Sequence, residues 1–229
     1  MVSRLDIFLW AILPYIVLTI FIGGLIYRYQ KDQFGWTTKS SEILEKKRLR
    51  IGSLMFHWGL IFVFGGHVAG ILVPIQFYEA LGIPEHIYHK IAIILGMPAG
   101  TVAFIGILLL LHRRISVKRI FKTTTTGDWV ALLVVILCIA TGLTATSLNV
   151  DAQGFDYRTT IAPWFRGIFT FHFQPELMAG IPIWFKIHIL STFVLYTIWP
   201  FTRLVHAFSF PLRYLKRNYV IYKRRVREI

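Results

Sequence analysis

Blocks of about twenty apolar residues, each long enough to cross a hydrocarbon layer, constrain this chain more than any other feature. Five are expected to be membrane-spanning helices: Ile7–Ile26, Ile51–Val73, Ile91–Leu111, Trp129–Leu148 and roughly Ile183–Phe208. The fifth is interrupted by Lys186, His188, Arg203 and His206, so it is the least apolar. Composition agrees with a membrane solvent. The 229 residues are 55% hydrophobic and only 16% charged, too little charge to cover a soluble domain of this length. The fold class implied is an all-α membrane protein, without internal repeats or low-complexity tracts. It divides into a membrane domain over 1–208 and a basic tail over 209–229. The first block is long for a signal peptide, lacks a small-residue cleavage site and ends in Tyr27-Arg28-Tyr29-Gln30-Lys31, so it reads as an uncleaved helix.

The distribution of basic residues gives the orientation. Segment 28–50 carries seven Lys and Arg, segment 112–127 carries five and the tail 209–229 carries seven. The alternate connections are poor in them: Arg4 before the first block, Lys90 within 74–90, and Arg158, Arg166 and Lys186 within 149–186. Short cytoplasmic loops are the ones enriched in Lys and Arg. The alternation therefore expects five crossings with the N-terminus outside and the C-terminus in the cytoplasm. The net charge of +14 reads as topology and attraction to anionic lipid rather than nucleic-acid binding. Segment 28–50 and the tail 209–229 are also candidate docking surfaces for cytoplasmic partners.

Other local signals fit. Thr126-Gly127-Asp128 is a plausible start for the fourth helix. Trp10, Trp36, Trp129, Trp164, Trp184 and Trp199 fall near block ends or in connections, where indoles favour the membrane interface. The long connection 149–183 is expected to fold over the outer face. The single cysteine, Cys138, lies within a block, so no disulfide framework or thiolate iron–sulfur site can form within the chain.

The chemistry sits in the histidines. His86, His89, His112 and His172 fall in connections or at block ends, where solvated surface is the ordinary reading. His57 and His67 lie inside the second block, and His188 and His206 inside the fifth. Ionisable groups within a membrane are costly and tend to be partnered and functional. Antiparallel travel of the two blocks matches depths in one way: His57 with His206 at the inner level, His67 with His188 at the outer. Two imidazoles without nearby Cys or carboxylate do not suit zinc, which wants four ligands. They do suit the two axial positions of a haem iron. A lone histidine would more simply be an interhelical hydrogen-bonding group; two depth-matched pairs favour a di-haem bundle.

Gly52, Gly59 and Gly66 recur every seven residues on one stripe, extended by Gly70. They leave room either for a flat macrocycle or for a neighbouring helix. Ten residues separate His57 from His67, about 15 Å of helix, while eighteen separate His188 from His206, about 27 Å. Tilt, side-chain reach or a kink at Pro200 could reconcile them. Arg203, with Arg113 or Arg114, could pair the propionates of an inner haem, or could simply snorkel to the headgroups.

Several stretches together resemble a known family, the cytochrome b (gamma) subunit of membrane-bound respiratory nitrate reductase. They are Leu54-Met55-Phe56-His57-Trp58-Gly59, Gly65-Gly66-His67-Val68-Ala69-Gly70, Thr123-Thr124-Thr125-Thr126-Gly127-Asp128, Pro163-Trp164-Phe165-Arg166, Phe185-Lys186-Ile187-His188 and Pro200-Phe201-Thr202-Arg203-Leu204-Val205-His206. They run in order over nearly the whole chain. The resemblance implies five helices holding two b haems, with the four histidines on the axial positions in the pairing above. It implies that quinol, either menaquinol or ubiquinol, is oxidised near the outer haem, in anaerobic respiration at a prokaryotic cytoplasmic membrane. Electrons would pass inward to an iron–sulfur beta subunit and a molybdenum alpha subunit that reduces nitrate. Gly66, His67 and Gly70 would lie beside the quinol. Where some members carry a lysine just before the third span, this chain has Tyr88, flanked by His89 and Lys90. The rival readings are a haem b quinol module of a sulfite- or disulfide-type reductase, and a haem-free transporter or anchor. No Asp or Glu lies well inside any block, which counts against a proton relay.

Overall fold

A computed structural model describes residues 3–32, 36, 41, 43–150 and 155–208; the tail 209–229 and most of 33–42, with the docking roles expected of them, lie outside the described residues. The elements are α1 (Arg4–Lys31), α2 (Lys47–Leu72), α3 (Ile75–Ala80), α4 (Glu85–Ser116), α5 (Lys118–Thr123), α6 (Thr126–Ser147), α7 (Ile161–Phe169) and α8 (Ile183–Ile198). Helices α1, α2, α4 and α6 are long and apolar enough to cross a membrane.

Local chemistry sets the helix ends. Ser3 and Thr125 each form a reciprocal capping box, with Asp6 and Asp128, and the Thr125 box starts α6 one residue ahead of the expected threonine. Pro74 follows α2, and the residue before it, Val73, is extended, as the proline ring demands. Pro84 and Pro182 cap the starts of α4 and α8 from extended backbone. Because α4 begins at Glu85 rather than near Ile91, Tyr88, His89 and Lys90 occupy its first turns rather than a connection.

The fifth block is not one helix to Phe208. Helix α8 ends at Ile198, after 16 residues, and gives way to a 3₁₀ turn over Trp199–Phe201, an extended Thr202 and a second 3₁₀ stretch over Arg203–Phe208. Pro200 causes the break, because its ring clashes with the preceding turn and it has no N–H to donate. The exposed carbonyls do not go wanting: Arg28 Nη1 donates to Pro200 O at 2.8 Å and to Thr202 O at 2.9 Å. Gly24 lets α1 approach, since a Cβ there would lie 2.8 Å from Pro200 Cβ. The break also removes the length mismatch between the histidine pairs, because His206 no longer continues the axis that carries His188.

Helix α2 packs along α4, α4 along α6, α6 along α8 and α8 along α1. The α2–α4 seam runs backbone to backbone: a Cβ on Gly59 would lie 2.6 Å from Ala103 N, and one on Gly106 would overlap Phe56 N. Gly52 and Gly59 therefore serve helix packing, which small residues permit in lipid, whereas a Cβ on Gly66 would meet nothing within 4 Å. Extended packing is absent between α2 and α8 among the described residues, so the two histidine-bearing segments face each other across a slot.

One end of the bundle is capped by residues 155–181, whose buried core joins Trp10, Ile161, Trp164, Ile168, Met178 and Ile181. Trp10 and Trp164, expected at a lipid interface, are only 2% and 3% exposed and meet edge to face at 5.9 Å. The reason is again a proline. Pro14 cannot donate to Trp10 O four residues back, α1 relaxes into a π turn over Phe8–Ile12, and the freed Trp10 carbonyl accepts Trp164 Nε1–H at 2.7 Å.

Candidate functional site

The four histidines come together as two pairs across the slot. The ring centroids of His57 and His206 are 6.2 Å apart, and those of His67 and His188 are 6.1 Å apart. Hydrogen bonding fixes the tautomer of each. His57 Nδ1 lies 2.8 Å from Ser53 O, His67 Nδ1 2.8 Å from Val63 O, His206 Nδ1 2.6 Å from Arg203 O, and His188 Nδ1 3.1 Å from Cys138 O. A carbonyl only accepts, so each Nδ1 carries the proton and each neutral Nε2 carries a lone pair. Among the described residues no hydrogen bond engages any of these four Nε2 atoms. A metal-binding histidine characteristically donates its other ring nitrogen to a backbone carbonyl in this way.

The spacing fits a metal between the rings. Two imidazole–metal bonds of about 2.0–2.1 Å, plus roughly 1.1 Å from each nitrogen to its ring centre, sum to about 6.3 Å. An isolated aromatic pair also falls in the 4.5–7 Å range, so the distance alone does not discriminate; the four like-oriented tautomers do. No cluster of three or more His, Cys, Asp or Glu suited to a metal occurs among the described residues. Each pair is thus a two-ligand set that needs an ion with its remaining positions supplied by something else, and a porphyrin supplies four nitrogens. The donor chemistry fits haem.

The pairs differ in their surroundings. Three of the histidines bond a carbonyl three or four residues back on their own segment. His188 alone reaches another helix, α6, where its ring lies over Gly142; a Cβ there would sit 2.9 Å from His188 Cε1. Thr141 Oγ1 is 3.2 Å from His188 Nδ1 and 3.1 Å from Ser191 Oγ, both hydroxyls being buried.

Beside the His57–His206 pair, the arginines separate. Arg113 is only 3% exposed and is committed to the connection before α2: it donates to Glu45 Oε2 at 2.7 Å, Ser41 Oγ at 2.9 Å, Ser41 O at 2.9 Å and Glu45 O at 2.6 Å. That leaves it little capacity for a propionate. The Glu45 carboxyl is held below its ordinary range, first by the Arg48 backbone N–H and then by the Arg113 guanidinium. Arg114 and Arg203 instead share one carboxylate, Asp128, at 3.5 and 3.2 Å. Two guanidinium groups therefore converge on one carboxylate close to His206, and guanidinium donors are of the kind that suit an anionic group.

At the capped end, α2 passes from His67 into a π turn over Val68–Leu72 that contains Gly70. A Cβ on Gly70 would lie 2.9 Å from Tyr157 Oη and 3.0 Å from Tyr88 Oη, so the missing side chain lets two phenols approach the backbone. Those phenols are 3.3 Å apart, and the Arg158 guanidinium lies 4.3 Å over the Tyr88 ring while paired to Asp156 at 2.9 Å. Burial raises the Tyr157 phenol above its ordinary pKa. Carbonyls loosened by the π turn are taken up by Tyr78 Oη on Ala69 O and Arg166 Nη1 on Ile71 O, both at 2.7 Å.

Of the residues expected near a quinol, Gly70 and Tyr88 therefore meet. Gly66 and His67 lie on the adjoining turn, Lys90 is exposed, and His89 keeps a buried Nε2 without a hydrogen bond. Sequence reasoning missed Tyr157, Arg158, Tyr78, Thr141 and Ser191. The first three sit in or near connections without periodicity. The last two carry only the faint signal of hydroxyls inside apolar helices.

Comparison with known proteins gives one answer throughout. The family model described as nitrate reductase gamma subunit matches residues 6–225. The chain is 58% identical over 217 residues to the nitrate reductase gamma chain of Bacillus subtilis (strain 168), covering 95% of this chain and 97% of that one. It is 32% identical over 222 residues to the respiratory nitrate reductase 1 gamma chain of Escherichia coli (strain K12), covering 96% and 98%. It is also 42% identical over 218 residues to the nitrate reductase-like protein NarX of Mycobacterium tuberculosis, matching 94% of this chain but 33% of that longer protein.

Proposed function

The chain belongs to the nitrate reductase gamma subunit family, and from that premise we propose that it oxidises quinol near the outer face of a prokaryotic cytoplasmic membrane and feeds the electrons inward. It crosses the membrane five times, with α8 and the 3₁₀ segments after it as the fifth crossing. The N-terminus is outside and the C-terminus cytoplasmic. The capped end is then outer, and the end carrying Arg113, Arg114 and Lys118 is inner. Its partners are an iron–sulfur beta subunit and a molybdenum alpha subunit on the cytoplasmic side, where nitrate is reduced.

One observation carries the reading: two histidine pairs meet across the α2–α8 slot, every Nδ1–H tied to a carbonyl and every Nε2 left as a donor. His57 and His206 would hold an inner haem b, and His67 and His188 an outer one. Haem bound there supplies one-electron redox chemistry. The residues of the chain do the rest. The backbone carbonyls orient the imidazoles, and Arg114 and Arg203 offer positive charge to propionates. Gly70, Tyr88 and Tyr157 form a wall beside His67 against which a quinol head, menaquinol or ubiquinol, would dock. Releasing the quinol protons outside while electrons move inward conserves energy, because moving one charge fully across is worth about 2.3 kcal/mol per 100 mV.

The test is His67→Ala. The purified complex should lose half its b-type absorbance and its quinol oxidation, while His57→Ala should remove the other half. Two full haems in His67→Ala would end the assignment.

A further inference from the structure

We infer that the buried hydroxyl pair Thr141 and Ser191 sets the donor strength of His188, and through it the reduction potential of the outer centre alone. The inference rests on the haem reading above and adds two positioning residues to it.

Thr141 has one hydroxyl hydrogen but four polar neighbours: Leu137 O at 2.9 Å, Cys138 O at 3.0 Å, Ser191 Oγ at 3.1 Å and His188 Nδ1 at 3.2 Å. Ser191 spends its own hydrogen on His188 O at 2.7 Å. Thr141 gives its hydrogen to Ser191 or to a carbonyl of its own helix. Its lone pairs are then free to accept from His188 Nδ1–H, which it shares with Cys138 O. Both hydroxyls are buried, Thr141 at 7% and Ser191 at 5% exposure, so water does not compete. Two acceptors on one N–H push electron density toward Nε2 and make the ring a stronger donor.

The other three histidines lack this arrangement across helices. His67 and His206 bond a single carbonyl each, and His57 bonds Ser53 only, from its own turn. His188 is also the one ring seated over a missing side chain, at Gly142. The outer pair is therefore asymmetric, with one ligand set by its own helix and the other by α6. A hydrogen bond to the far nitrogen of a ligating histidine is one of the protein's levers on a haem potential. A stronger donor favours the oxidised iron, so removing the Thr141 acceptor should raise the potential.

The experiment is a redox titration of the intact complex carrying Thr141→Val, Thr141→Ser or Ser191→Ala. It is followed by haem absorbance and by the low-spin ferric EPR signals. Thr141→Val is expected to keep both haems, raise one midpoint potential and move one EPR signal, leaving the other centre as in the unaltered protein. Thr141→Ser should restore both, and Ser191→Ala should shift the same centre by less. Loss of one haem in Thr141→Val with retention in Thr141→Ser would also support the inference. Two haems with unchanged midpoints and spectra in Thr141→Val, or equal shifts of both centres, would overturn it while leaving the ligand assignment standing. An unaltered complex devoid of haem would sink that assignment and this inference together.

Discussion

Gly59→Ala should loosen both halves of the site at once, without touching a histidine. The added Cβ would lie 2.6 Å from Ala103 N, 2.8 Å from Ala99 O and 2.9 Å from Ala103 Cα. Ordinary contact begins at 3.4 Å, so the deficit is 3.4 − 2.6 = 0.8 Å. All three atoms are backbone, and no rotamer can move them aside. Helix α2 must therefore back away from α4 at residue 59, only about 3 Å of helix rise from His57. A shift of 0.8 Å is large against an imidazole–metal bond of about 2.0–2.1 Å. Overpacking of this kind costs about 1–3 kcal/mol. If that cost falls wholly on the haem-bound packing, the binding constant for haem drops about 5- to 150-fold, at about 1.4 kcal/mol per factor of ten, and haem per chain falls with it. The assay is haem per chain in the purified complex, with thermal unfolding beside it. Gly65→Ala is the matched control, because a Cβ there meets nothing within 4 Å. Haem content and unfolding temperature in Gly59→Ala equal to those of Gly65→Ala would refute the argument that the α2–α4 seam sets histidine spacing.

Arg28→Met removes the donors to Pro200 O and Thr202 O that hold the break before His206; haem quantification should show selective weakening of the inner centre, by about 10- to 150-fold in binding if one charge-assisted bond is worth about 1.5–3 kcal/mol. Gly70→Ala would press a Cβ against the Tyr88 and Tyr157 phenols, so steady-state assays should give at least a tenfold fall in quinol oxidation with both haems retained. Tyr88→Phe should act in the same direction more weakly. The Glu45 carboxyl is lowered below its ordinary value of 4.5, so its stabilising tie is complete above that pH and is lost as pH falls through and below it. Limited proteolysis of the connection before α2 should therefore accelerate between about pH 5 and 3 in the unaltered protein, and Glu45→Gln should show fast cleavage throughout.

Much of the site was legible in the sequence because a membrane restricts what a histidine can do. Four imidazoles inside apolar blocks had few alternatives to partnership, and opposite helix directions paired them in one way. The glycine stripe was less legible. Periodicity showed that Gly52, Gly59 and Gly66 share a face, but not that the first two meet α4 and the third meets open space. The arginines were legible only in part. Position placed Arg113 and Arg114 equally near the inner level, yet adjacent residues on a helix point about 100° apart. One serves Glu45 and Ser41, and the other Asp128.

Hydropathy, charge alternation and the histidine positions are local properties, written along the chain and governed by transfer energies that need no neighbour. They determined the membrane class, the expected orientation and the expected depth of each histidine. Only the tertiary structure decided where the fifth segment stops, because a proline breaks a helix to an extent set by who satisfies the freed carbonyls, here Arg28. Only it brought Tyr88, Tyr157 and Gly70 to one place and laid His188 against Thr141 and Gly142. Hydrogen bonds and van der Waals contacts act over a few ångströms between residues far apart in the chain, and no linear pattern records them.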